Sequence, residues 1–583
     1  MFAKLLFKYI AFYKARRSLA LGCSPRLIAG YMAQQRLLGE SQSTAPALLV
    51  MGEETVKREE QPHGYNFKGV PKPDENGHRL VTLDRVWQLD DILVTSQPKD
   101  LCFSFALFKL LRCRFAKYTV SESGFMKAHN FFKDMLLQGD DSERVFRVVA
   151  DELALIYYYY HSSLPIFYSS HLLLPIFTIA ISLYNIGYCL FLMIFISRLL
   201  MNGAYNKIFC SFVCFKYNIT DYAESGDTTV EYNSSTYYTD VVPAFLVLAA
   251  LIFAETRDIV FYICSTWTKV ALICNYVNRP SWQRCPAAQK CIAFVLQHFR
   301  CTMAGNNWGD NMKQFSILEL HPKKFRFQLH KWKENSKIPS EVKAAIFETL
   351  KRKNLTTDLE GNLKVIRPPS SLFSSWAADH TGDSFLSAPD GKGAAYTILV
   401  WHIATTVFEI RRQAPPSSSD PHAIAATHLS HYCAYLVAFC PELLPSDEQW
   451  CKKMYMDVEK DAKRILKAVK GRKKQTGSHD QLCQLLTEDS SHEVLRNGAR
   501  LGMQLADSAT MGWEDLSRFW SEMILYVAPS ENLDGHAQAI ARGGELITLL
   551  WAMLAHAGIL GRLDATAGDS DKAVTDTDGC AEV

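Results

Sequence analysis

Residues 164–197, "LPIFYSSHLLLPIFTIAISLYNIGYCLFLMIFIS", contain no Asp, Glu, Lys or Arg. A helix that crosses a bilayer needs about 20 predominantly apolar residues. The span is placed at about 172–196, because Pro175 fits best in a first helical turn. Tyr168 and Arg198 then mark the two interfaces. The alternative is a helix buried in a large soluble protein, but such helices rarely stay apolar on every side for this length. A second candidate span covers about 241–262. Its apolar part, "VVPAFLVLAALIFA" (241–254), is short, with Asp240 before it and Glu255, Arg257 and Asp258 after it. Each charge held at mid-bilayer costs about 2.5–3.5 kcal/mol on insertion scales. Either these charges sit at the interface of a short span, or Glu255 faces other helices. An interfacial or re-entrant segment is the alternative.

The linker between the two segments, 198–240, holds few basic residues and several acids. Cytosolic loops usually carry the Lys/Arg excess, so this linker is expected outside the cytosol. Sequons at Asn218 ("NIT") and Asn233 ("NSS") would be glycosylation acceptors there. A third, at Asn354, falls in a segment read as cytosolic. Cys210 and Cys214 could pair in an oxidising lumen, although their spacing equally suits one helical face. The N-terminus, "MFAKLLFKYIAFYKARR", is interrupted by Lys4, Lys8 and Lys14, which argues against a cleaved signal peptide.

At 583 residues the chain is too long for one core. Its net charge of +3 implies no general attraction to nucleic acid. Its 16 cysteines form no CxxC pair, so neither a zinc site nor a redox framework is visible, and most thiols are expected buried in a reducing compartment. Helices are expected over "DLCFSFALFKLLRCRF" and over "SERVFRVVADELALIYYYYHSSLP", where Tyr157, Tyr158, Tyr159 and Tyr160 look like an interfacial belt. Residues 323–354 read as short helices, and 367–393 and 411–422 as loops rich in Pro, Ser or Gly. Further helices are expected over "HLSHYCAYLVAF", over "SHEVLRNGARLGMQLAD" with a Ser490–Glu493 capping box, and over one long helix, "DGHAQAIARGGELITLLWAMLAHAG", ending at Gly558.

Several of these phrases, in this order, resemble a plant family of multi-pass membrane proteins of unknown function. That family pairs domain of unknown function 4220, on the N-terminal side, with domain of unknown function 594 at the C-terminus. "CSPRLIAGYMAQQ", "LLVMGEE", "DLCFSFALFKLLRCRF" and "VADELALIYYYYHSSLPI" are similar to the first; "ILVWHIATT" is similar to the phrase that precedes the second. "LSHYCAYLVAFCPELLP", "VLRNGARLGMQL", "FWSEMILYVAPS" and "HAQAIARGGELITLLWAMLAHAGI" are similar to the second itself. The resemblance implies architecture and assigns no reaction. Members usually carry several transmembrane helices ahead of the segment similar to "LFKYIAFYKARRSLAL", so the resemblance also implies a shortened N-terminus. They usually have an acid where this chain has Thr406.

Candidate chemistry centres on "TILVWHIATTVFEI" (397–410). On a helix, His402, Thr405, Thr406 and Glu409 fall at i, i+3, i+4 and i+7, a polar stripe on an apolar cylinder. The stripe is expected to face water or a polar groove. It is either a hydrogen-bonded site around His402 or, more often in proteins, a satisfied histidine at the core boundary. His428 and His431 share a helical face, but no carboxylate follows in metal-ligand register. "HEVLR" lacks the second histidine of a zinc-protease helix, because Arg496 stands there. Residues 451–474 form a basic amphipathic helix with Met454, Val458, Ala462, Ile465 and Val469 on one face. It suits either an anionic membrane surface or a solvated face.

The sequence therefore predicts a mainly α protein with integral membrane helices and a large all-α cytosolic C-terminal domain. The expected division is an N-terminal remnant (1–70), a helical cytosolic segment (71–163), a membrane region (164–267), a second helical segment with a linker (268–395), the C-terminal domain (396–561) and a disordered acidic tail (562–583). No catalytic, cofactor-binding or metal-binding residues and no cofactor are assigned. The expected function is a membrane-anchored binding or scaffold module; the alternatives are a transport or channel-related protein using Glu255, or an enzyme using His402. Membrane lipids, an unidentified protein and a second copy of the chain are the expected partners, and nucleic acid is not.

Overall fold

A computed structural model describes residues 24–37, 45–53, 58–61, 64–67, 80–89, 96–117, 125–137, 141–161, 173–201, 234–298, 311–318, 333–355, 364–366, 369, 393–412, 420–471, 478–508 and 511–562, with Leu6, Tyr9 and Gly139. Among the described residues helices dominate, and the strands pair only two at a time. The N-terminal half contains α1 (Ser24–Leu37), α2 (Leu83–Trp87), α3 (Ser96–Phe115), α4 (Phe125–Phe132) and α5 (Ser142–His161). Strands β1 (Leu49–Met51) and β4 (Val81–Thr82) pair antiparallel, as do β2 (Arg58–Gln61) and β3 (Gly64–Phe67). Phenylalanines 103, 105 and 108 of α3 join Val145, Val149 and Leu153 of α5 in the apolar core. The basic end of α3 is folded inward. Lys109 pairs with Glu53 at 2.5 Å, and the Arg112 guanidinium lies 3.8 Å from the Tyr159 ring centroid while donating to its hydroxyl at 2.7 Å. Tyr157, Tyr158 and Tyr159 pack against the core, leaving Tyr160 the exposed member of the four.

Two long helices follow, α6 (Leu173–Met201) and α7 (Ser234–Cys264), packed against each other. Ile179 of α6 and Tyr262 of α7 both reach the body's core, and Asn185 meets Glu255 further out, so the pair forms a hairpin standing on the body. Residues 173–196 of the first expected span and all of the second lie on these helices; residue 172 falls outside the described residues. Short helices α8 (Thr266–Asn278), α9 (Pro280–Gln283) and α10 (Pro286–His298) lead back over the body.

The rest comprises β5 (Asn311–Gln314) antiparallel to β6 (Lys333–Lys337), α11 (Ser340–Leu355), β7 (Lys364–Ile366), then α12 (Gly393–Arg411), α13 (Pro421–Phe439), α14 (Glu448–Gly471), α15 (Ser478–Glu488), α16 (Glu493–Asp507), α17 (Trp513–Val527), α18 (Leu533–Ala541), α19 (Leu546–His556) and β8 (Ile559–Arg562), parallel to β7. Helix α12 runs through the centre, packed by α13 and α16. Gly498 and Gly502, one turn apart on α16, allow this approach. A Cβ at Gly498 would lie 2.6 Å from Ile403 Cβ, and one at Gly502 would lie 2.6 Å from the Ala404 carbonyl oxygen.

Three local expectations are corrected. The long C-terminal helix breaks at Gly543 and Gly544, whose φ values of +102° and +91° suit glycine alone, giving α18 and α19. There is no Ser490–Glu493 capping box: His492 caps α16 by accepting the Val494 N–H, and Ser490 donates back to the Leu486 carbonyl. Residues 333–337, read as helical, form β6, because β5 supplies an antiparallel partner.

Gly502→Ala is expected to destabilise the chain by about 1–3 kcal/mol through overpacking. On helix propensity alone the substitution would stabilise by about 1 kcal/mol. Thermal unfolding of the purified full chain decides between the two signs.

Candidate functional site

Helix α12 is buried along almost its whole length because its neighbours close over every face. His402, Thr405 and Thr406 therefore lie in the core, at 0%, 2% and 5% exposure, and not along a water-facing groove. Their polar atoms are satisfied partly by other elements and partly by the backbone of α12 itself. His402 Nε2 accepts the Ile317 N–H at 3.3 Å, which puts the ring proton on Nδ1, 2.9 Å from Ser430 Oγ. Burial first, and the neighbouring His431 second, hold the His402 pKa well below the usual histidine range, so the ring is neutral. Thr405 Oγ1 donates to the Trp401 carbonyl and accepts the Trp520 indole N–H at 3.0 Å. Thr406, standing where the resemblance places an acid, donates to the His402 carbonyl. Glu409 is the partly exposed end of the stripe, and burial pushes its carboxyl up to about 7.

The other sequence candidates disperse. His428 bonds the Ile424 carbonyl within its own helix, and His431 stacks edge-on to His402. Among the described residues no group of three His, Cys, Asp or Glu could hold a metal. The apolar residues Met454, Val458, Ala462 and Ile465 of α14 are buried, so that helix spends its apolar face on the body and leaves mainly charged residues outside. Asn218, Asn233, Cys210 and Cys214 lie outside the described residues.

One buried and one partly buried polar cluster escaped the sequence reading. His556 Nε2 lies 2.8 Å from a Glu152 carboxylate oxygen, both side chains fully buried, and His129 Nδ1 lies 3.1 Å from the His556 carbonyl oxygen. Lys313 Nζ meets Glu545 at 2.6 Å and the Tyr435 hydroxyl at 3.2 Å. Both pairs join residues hundreds of positions apart, so no local spacing announces them.

The hairpin is built inside out. Thr178, Ser182, Asn185 and Cys189 recur at i, i+4, i+7 and i+11 on α6, and Thr178 and Ser182 are only 1% exposed. Asn185 Nδ2 donates to Glu255 Oε1 at 3.1 Å, and Glu255 is itself buried. Phe177, Tyr184, Phe191 and Ile194 of α6 and Leu246 and Phe253 of α7 point outward, with Tyr184 73% and Phe253 71% exposed. Residues 176–198 of α6 are long and apolar enough to cross a membrane; α12 passes the same length and composition test but is buried in the body.

The architecture is thus that of a mainly α-helical protein with an outward-apolar hairpin on a closed helical body. The chain belongs to the family described as Domain of unknown function (DUF4220), whose profile matches residues 1–320. A second profile, Protein of unknown function, DUF594, matches residues 506–559. No curated protein and no solved structure matches the chain. The Glu152–His556 contact joins the two matched regions.

Glu409 gives a signed pH test. Its folded-state pKa of about 7 exceeds the ordinary 4.5, so the folded chain binds this proton more tightly than the unfolded chain. The resulting stability is complete below about pH 4.5 and is lost as pH rises through about 7. Glu409→Gln should therefore raise the unfolding midpoint at about pH 8 and change it little at about pH 4.5. An equal offset at both pH values would mean that the carboxyl is not perturbed.

Proposed function

We propose that this chain is a membrane-anchored binding or scaffold protein without catalysis of its own, held in the bilayer by the α6–α7 hairpin with its helical body in the cytosol. The carrying observation is the inverted hairpin: hydroxyl, amide and carboxylate groups in the seam, aromatic and aliphatic side chains outside. In water this arrangement leaves large apolar side chains hydrated; in lipid it is the favoured one, because membrane helices associate through small and polar residues. The 23 residues of 176–198 span roughly 35 Å at 1.5 Å per residue, enough for a hydrocarbon core about 30 Å thick.

Charge supports the orientation. The linker beyond the hairpin carries Asp221, Glu224, Asp227 and Glu231 against Lys207 and Lys216. On the body side no Asp or Glu occurs between Asp258 and Asp310, while Lys269, Arg279, Arg284, Lys290 and Arg300 do. A basic excess marks the cytosolic side. His402, Glu152, His556 and Glu545 are all engaged in buried contacts that hold helices together, which favours a structural use for them over catalysis. A transport role would draw on Glu255, but Asn185 bonds that carboxylate within a two-helix seam.

Alkaline carbonate extraction of the full chain, combined with protease protection of sealed vesicles, tests this reading. The protein should stay in the pellet, and protease outside vesicles with the cytosolic face outward should digest the body. Release into the supernatant would overturn the anchor, and a protected body would reverse the orientation. The scaffold role predicts specific co-purification of protein partners with the solubilised full chain; a folded chain that recovers none would contradict it.

A further inference from the structure

We propose that Cys285 and Cys291 are S-acylation sites, and that acyl chains on them hold helix α10 against the bilayer beside the hairpin. The proposal rests on the membrane-anchored reading with a cytosolic body. Eleven free cysteines lie among the described residues; Cys285 and Cys291 are the exposed ones and the rest are buried. Both fall in the segment that follows the hairpin, after α7 ends at Cys264.

The local structure suits a lipid surface. Helix α10 lies on the body with Ile292 buried at 6% exposure. Its outer face carries Ala287, Cys291 and Phe294 at i, i+4 and i+7, and Phe294 is 52% exposed. Gln283 Nε2 donates to the Tyr276 and Val277 carbonyls, and Gln289 Nε2 to the Gln283 carbonyl, which fixes the turn from α8 into α10. Helix α8 has 13 residues, roughly 20 Å at 1.5 Å per residue, so this turn stays within about one helix length of the hairpin base. Exposed Arg279, Arg284 and Lys290 neighbour the two cysteines in the acid-free stretch of sequence, and such cations attract anionic headgroups. Cysteines beside a span or on an amphipathic surface helix are the ordinary sites of reversible S-acylation.

The step is a thioester exchange. The cysteine thiolate attacks the carbonyl carbon of a long-chain fatty acyl thioester, an acyl-coenzyme A delivered by a membrane acyltransferase. A new carbon–sulfur bond forms at Sγ, the donor's carbon–sulfur bond breaks, and the departing thiolate takes up a proton equivalent to the one the cysteine lost. No electrons change hands.

The test uses the full chain expressed in a eukaryotic host. Free thiols are blocked, thioesters are cleaved with neutral hydroxylamine, and released thiols are tagged with a maleimide polymer that shifts gel mobility. The natural chain should show two hydroxylamine-dependent shifts, Cys285→Ser and Cys291→Ser one each, and the double variant none. Shifts that persist in the double variant would place the acyl groups elsewhere and overturn the proposal. Thiols released by dithiothreitol and not by hydroxylamine would overturn it in favour of a disulfide. A carbonate-resistant chain with no shift defeats the acylation while leaving the anchor standing; a carbonate-extractable chain defeats the anchor itself.

Discussion

A long helix with a single polar stripe on an otherwise apolar surface must be surrounded, and α6 and α12 meet that requirement in opposite ways. Helix α12 is enclosed by protein, and two of its polar side chains, His402 and Thr405, take partners from other elements: Ser430 on α13, the backbone at Ile317, and Trp520 on α17. An unpaired polar atom at such a position costs about 1–3 kcal/mol, so these contacts fix which helices lie against α12. Helix α6 turns its polar groups toward one partner and leaves its apolar groups to the surroundings. Protein covers α12; on the proposed reading lipid covers α6.

Close packing around α12 depends on α16 presenting glycine where side chains would collide. Gly498 and Gly502 forgo helix propensity, each by about 1 kcal/mol relative to alanine, and the return is contact between the two helix backbones along a full turn. The same helix is registered from outside by Asp461 of α14, whose carboxylate accepts the N–H groups of Ser491 and His492 at 2.9 Å each. Helix α14 therefore contributes to the fold through both its apolar face and one buried acid. Among its described residues, a helix that looks ready for a membrane surface in the sequence thus spends most of its apolar stripe, Met454, Val458, Ala462 and Ile465, inside the body.

What the sequence made legible follows the range of the interactions. The charge-free run, the short second span and the α12 stripe are properties of neighbouring residues, and each lies on a helix close to its expected position. The surroundings of the stripe were not legible, because the partners of His402 and Thr405 lie 28, 85 and 115 positions away. The break at Gly543 and Gly544 was hidden for a different reason: two glycines within a long apolar-periodic pattern lower helix propensity without dictating a stop, and burial of the next helix against α4 and α5 decides the matter. The choice left open for Glu255, interface or helix seam, falls to the seam because Asn185 faces it from α6, a pairing that neither segment alone encodes.

The buried contact between Glu152 and His556 bears on how far the two matched regions are independent. Burial pushes the Glu152 carboxyl up, and His556 opposes that shift by lying against it. Removing one partner of a buried hydrogen-bonded pair leaves the other unsatisfied, at a cost of about 1–3 kcal/mol, a sizeable fraction of the stability of an ordinary domain. Around the pair, Phe132 packs beside His556, Arg114 lies over the Trp551 ring, and Phe115 reaches the same indole. Helix α19 thus carries its apolar and polar contacts into the N-terminal half, while β8 immediately after it pairs with β7 from the middle of the chain. A piece of the C-terminal region alone would hydrate this surface and strand His556 without its acid. The C-terminal helices are accordingly completed by the half of the chain that carries the hairpin, chiefly through the packing of α5 against α18 and α19.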